Sequence, residues 1–117
     1  MTSVQDVIKE FAEADYAIRA VFPKVDPLLA VPLIFDRKAN KKDIYTVEVR
    51  LKSGQDTQRL RQDVLNNTGM APGFYLNGTK MIVSHELDLE FLKWINDQEG
   101  IVSVKGSKYS AGGSTDF

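Results

Sequence analysis

In the first segment apolar side chains return every three or four positions, at Val4, Val7, Ile8, Phe11, Ala14, Ile18 and Val21. That spacing puts them on one stripe of an amphipathic helix. Ser3 stands where a cap belongs, Asp6 puts negative charge in the first turn, and Pro23 stops the helix after Phe22. Lys9, Glu10, Glu13 and Arg19 occupy the opposite face. So much apolar surface has to pack, and packing on the chain's own sheet is expected.

The rhythm breaks over residues 23–43, which hold Pro23, Pro27 and Pro32. Proline donates nothing to a sheet ladder, so Val31–Phe35 is predicted to be at most an edge strand or an extended lead-in. The polar run DRKANKKD, Asp36 to Asp43, reads as a loop.

From Ile44 the period becomes two. Tyr45, Val47, Val49 and Leu51 alternate with Thr46, Glu48, Arg50 and Lys52, the pattern of a strand with one buried and one wet face. Ser53 and Gly54 end it. A helix over about residues 55–67 follows, with Leu60, Val64 and Leu65 as a narrow apolar stripe and Gly69 past its end. Phe74–Leu76 and Met81–Val83 then flank Asn77-Gly78, the dipeptide suited to a two-residue type I′ hairpin turn. A second helix runs to about Gln98, capped by Ser84 or Asp88, with Leu87, Phe91, Trp94 and Ile95 on one face. A short strand, Ile101–Val104, and a Gly/Ser-rich tail complete the chain.

Strand, helix, strand, strand, helix, strand within residues 44–105 predicts an α+β fold of the ferredoxin-like split βαβ type (βαββαβ). The alternative is another small α+β sheet that takes Val31–Phe35 as an extra edge strand. One α+β domain is expected over residues 1–106: helix 1–22, proline-rich and basic connection 23–43, and βαββαβ core 44–106. A flexible tail, 107–117, follows.

Composition narrows the chemistry. The 117 residues carry 15 basic and 16 acidic side chains, a net charge of −1, which argues against a nucleic-acid binder working through bulk positive charge. With no cysteine and one histidine, disulfides, thiolate zinc sites, iron–sulfur clusters and cysteine nucleophiles are excluded. The start of the chain lacks a basic segment followed by an apolar one, and the longest apolar run, Leu28–Phe35, is far short of the ~20 residues that span a bilayer. A cytoplasmic location without membrane contact is the default expectation.

Catalytic arrangements are weak throughout. His85 is the only candidate base, and between Ser84 and Glu86 it reads as a partly exposed residue at a helix start. Glu86, Asp88 and Glu90 spread around a helix start, where the dipole alone favours acids. Ser53 and Gly54, between a strand and a helix, offer free amides to a small anionic ligand, although neither GxxxxGK[ST] nor GxGxxG occurs. No catalytic residue, metal or cofactor is assigned.

Charge is unevenly distributed. Residues 36–62 carry eight basic and four acidic side chains, net +4, between segments of net −2 and −3. Within it Arg50, Lys52, Arg59 and Arg61 are the candidate partner-binding residues, suited to an acidic protein surface. The third strand lacks the aromatics on which RNA-recognition motifs stack bases, and Tyr45 falls on the core side, so nucleic acid is disfavoured. Residues 58–105 loosely resemble the BON-domain pattern, a helix, a hairpin with Asn77-Gly78, a second helix, then Gly100-Ile101-Val102-Ser103-Val104. That family is associated with envelope and lipid-facing roles. His85 or Ser84 stands where it carries a glycine, and the chain is assigned to no family. The expectation is a non-enzymatic protein-interaction or regulatory module with an acidic protein partner and a weak homodimer through a sheet edge or face. The alternative is a nucleic-acid or small-anion binder using the basic surface of residues 37–61.

Overall fold

A computed structural model describes residues 2–109. Its elements, in chain order, are α1 (Val4–Val21), α2 (Pro27–Lys38), β1 (Ile44–Leu51), α3 (Thr57–Thr68), β2 (Gly73–Tyr75), β3 (Lys80–Glu86), α4 (Leu89–Asp97) and β4 (Ile101–Lys108). The fold is α+β, with four helices and one four-stranded antiparallel sheet in the order β2-β3-β1-β4 among the described residues.

The alternation in β1 has the predicted effect. Tyr45, Val47, Val49 and Leu51 are buried, and they face the same layer as Met81, Val83 and Val104 from the neighbouring strands. Leu29, Ala30 and Leu33 of α2, Val64 of α3, and Phe91, Leu92 and Ile95 of α4 close over them. The other sheet face carries polar pairs. Thr46 and Ser84 share a hydroxyl hydrogen bond of 2.8 Å, and Glu48 sits between Lys80 and Lys105 at 3.0 and 3.2 Å. That face is wet by composition.

The proline-rich connection is the main correction. Residues 27–38 are a helix, and the predicted loop begins only after it. Three local facts favour the helix over an extended chain. The Asp26 carboxylate accepts the Leu28 amide at 2.9 Å as N-cap, and Pro27 sits at the first helical position, where its missing N–H costs nothing. Leu29, Ala30, Leu33 and Asp36 recur at helical spacing and are all buried. Packing of that stripe outweighs the cost of Pro32 inside the helix. Val31–Phe35 therefore forms no edge strand. The bridge beside β4 is made instead at Val25, with Asp26 N–H donating to Val104 O and Val104 N–H to Lys24 O, both at 2.8 Å.

Three smaller corrections follow. The hairpin loop spans four residues, 76–79, because Leu76, Asn77 and Gly78 all take positive φ and the turn begins one residue before Asn77-Gly78. β4 continues to Lys108, held to β1 by Tyr109 N–H to Ile44 O at 2.8 Å, so residues 107 and 108 are strand and not tail. Gly106 permits that close pairing, since a Cβ there would lie 2.3 Å from Thr46 O. The remaining tail, 110–117, lies outside the described residues. His85 belongs to β3, opposite Tyr45, and is buried.

Candidate interaction surface

The expectation that α1 packs on its own sheet is overturned. No residue of the helix is buried, and Val4, Val7 and Phe11 remain 74%, 57% and 69% exposed. The helix is nonetheless well specified locally. Ser3 Oγ accepts the Asp6 amide at 3.1 Å while Asp6 Oδ2 accepts the Ser3 amide at 2.9 Å, a reciprocal capping box. Asp15 and Arg19 form an i,i+4 pair at 3.1 Å.

Only the far end is anchored. Phe22 is buried, Ile18 packs against the core, and Lys93 Nζ of α4 donates to Val21 O at 3.1 Å. α1 touches α2 and leaves its first turns in solvent. The radius of gyration, 15.7 Å, exceeds the ~13 Å of a compact chain of this length, as a projecting helix requires. Leu28 and Phe35 on the outer side of α2 are also exposed. Monomeric proteins seldom leave apolar area of this extent in water.

The polar interior holds one built cluster. Asp36, buried in the last turn of α2, accepts Tyr45 OH at 2.8 Å and Lys108 Nζ at 2.9 Å, and Lys108 also reaches Asp43 Oδ2 at 3.0 Å. Burial works against ionisation of Asp36, but the hydrogen bonds from Lys108 and Tyr45 outweigh it and hold the carboxyl below its usual range. The same contacts push Lys108 up, while burial and then Asp36 push Tyr45 up. Every partner is satisfied internally, so the cluster ties α2 to β1 and β4 and offers no free reactive group. Its signal in the sequence was faint: Asp36 falls three residues after Leu33 on the buried stripe, a match visible only once residues 27–38 are read as a helix.

His85 is equally confined. Its Nδ1 lies 2.9 Å from Glu86 O, a carbonyl that only accepts, so the proton sits on Nδ1. Nε2 is buried without a partner, and Phe91 stacks edge-on at 4.7 Å. Burial pushes the imidazole pKa down, against weaker opposing effects of Glu86 O and Asp88. Among the described residues no group of three or more His, Asp or Glu side chains is arranged to hold a metal ion, and no helix is long and apolar enough to cross a membrane.

The residues singled out by charge are exposed but divided. Arg50 projects from β1 on the wet sheet face, and Lys52 follows in the turn after it. Arg59 and Arg61 stand on α3, which packs across the opposite face through Val64. Arg59 lines a groove with Asp56, Asp63, Asp97 and Glu99, an acidic setting, while Arg61 reaches Pro72 O at 3.5 Å. None of the four joins an ion pair among the described residues. Ser53 and Gly54 are exposed, with Gly54 at φ +83° in the turn. At the start of α3 the carboxylate of Asp56 already accepts the Arg59 amide at 3.0 Å, taking the place an external anion would fill.

No family model, curated protein or solved structure matches this chain.

Proposed function

We propose that the chain is a non-enzymatic protein-interaction module whose contact surface is the apolar face of α1. The observation that carries this reading is the contrast within one helix: a well-capped N-terminal end whose apolar side chains bury nothing, and a C-terminal end fixed to the core by Phe22. An 18-residue helix gains little from propensity alone and is normally stabilised by what its apolar face covers. Arg50 on the wet sheet face and Lys52 just beyond the end of β1, neither in an ion pair among the described residues, offer an acidic partner a secondary contact. We further propose that residues 44–108 form a ferredoxin-like unit. Each βαβ crossover skips one strand, with β3 between β1 and β2 and β1 between β3 and β4, which supports the split βαβ reading.

The double substitution Val7→Glu/Phe11→Glu tests the contact surface. At protein concentrations low enough to keep the chain unassociated, the variant should melt at the wild-type temperature, because neither side chain contributes to the core. A melting temperature lowered by several degrees at that dilution would mean that the face packs on its own domain, and the reading would fail.

A further inference from the structure

From the seam on α1 we infer that the occupant of this face is a second copy of the chain, its α1 lying antiparallel on the first about a two-fold axis. The inference rests on the interaction reading above and adds the partner and the geometry.

The apolar side chains of the helix follow a heptad, exposed along most of its length, with Ile18 alone partly buried at the edge of the core. Val4, Phe11 and Ile18 recur at seven-residue steps, as do Val7, Ala14 and Val21 three positions later, which are the a and d sites of a two-helix seam. Opposing two such helices head to tail about a point between residues 12 and 13 pairs Val4 with Val21, Val7 with Ile18, and Phe11 with Ala14. The largest side chain of the seam then meets the smallest, in both halves. A parallel pair would set Phe11 on Phe11 and Ala14 on Ala14, crowding one layer and leaving a void in another.

Charge points the same way. In a parallel pair Glu10 of one helix would face Asp15 of the other, two like charges beside the seam. Head to tail, Asp15 flanks Ile8 and Glu10 flanks Ala17, so neither acid meets another across the seam. Antiparallel dipoles also attract. The interface is self-complementary, so two copies close it. Side chains that expose between about half and three-quarters of their surface come off a helix about 27 Å long. Two such faces approach the roughly 1,200 Å² at the lower bound for specific interfaces. A dimer that dissociates on dilution is expected.

The chain lacks cysteine, so a single introduced thiol reports on its neighbours without ambiguity. Sedimentation equilibrium of the unmodified chain should give a dimer that dissociates on dilution, and Phe11→Glu should shift it to monomer at the same concentration. Under mild oxidation, mixed Val4→Cys and Val21→Cys chains should form the heterologous disulfide at least tenfold faster than Val4→Cys forms one with itself. Faster Val4 self-crosslinking would overturn the antiparallel arrangement. A strict monomer at every concentration would overturn self-pairing altogether while leaving the interaction surface standing, provided that Val7→Glu/Phe11→Glu keeps the wild-type melting temperature. A lowered melting temperature for that variant at dilution would take both readings down together.

Discussion

Replacing Tyr45 by phenylalanine isolates the buried side-chain hydrogen bond that ties α2 to β1. Tyr45 is fully buried, and its hydroxyl donates to Asp36 Oδ2 at 2.8 Å. Phenylalanine keeps the ring and its packing but leaves that oxygen without a donor. The second partner of Asp36, Lys108, is 43% exposed in its side chain, so water screens the ion pair and it cannot compensate fully. A hydrogen bond to a charged group contributes about 2 kcal/mol, and leaving the acceptor buried and unpaired forfeits that much. For a chain of this size that loss lowers the melting temperature by roughly 8 °C. The acid limb should move as well. Because the folded-state pKa of Asp36 is depressed, its contribution is present above the unfolded value of 3.8 and is lost as pH falls through the lower folded value. Tyr45→Phe removes one cause of that depression, so acid unfolding should begin at a higher pH. Thermal melts by circular dichroism at pH 7, with a pH series between 2 and 6, measure both effects. A variant that melts within 2 °C of the wild type at pH 7 would refute the claim that the phenol sustains the Asp36 charge.

Gly106→Ala should cost several kcal/mol, since its Cβ would stand 2.3 Å from Thr46 O between two paired strands, and a urea melt would reveal the loss. Leu76 holds φ +55° in the hairpin loop with its side chain largely in solvent, so Leu76→Asn should stabilise by about 1 kcal/mol, read as a higher urea midpoint. His85 is the only histidine and is held neutral by burial. Its folded pKa lies below the unfolded 6.5, so stability should be complete above pH 6.5 and fall as pH drops toward the folded value, a limb that His85→Leu should lack.

The sequence made the sheet legible and hid the helices around it unequally. Alternation in β1 assigned Tyr45, Val47, Val49 and Leu51 to the core, because a period of two is set by the pleat alone. Helix α2 was hidden by a rule that holds on average: proline opposes regular structure. Pro27 at the first position obeys its exception, and Pro32 is carried by tertiary packing that local propensity does not register. The apolar run Met81–Val83 marks only the middle of β3, which leaves His85 outside it in the sequence, and its burial follows from strand parity once His85 pairs with Tyr45. The basic residues show the reverse limit. Arg50 and Arg59 are close in sequence, yet one is on the wet sheet face and the other is on the helix layer, a separation that only topology reveals. The stripe on α1 was plain from the start. Its lack of cover within the domain was not, since amphipathicity says that a face must pack and never says on what.

Hydrogen exchange along α1, followed as a function of protein concentration, tests that point most directly. In dilute solution the amides of residues 7–17 should exchange far faster than those of β1, because they belong to the part of the helix that lies in solvent. As concentration rises they should gain protection while the amides of β1 keep theirs unchanged. Protection of residues 7–17 equal to that of β1 at every dilution would contradict the account, for it would mean that the apolar face is already covered within a single chain.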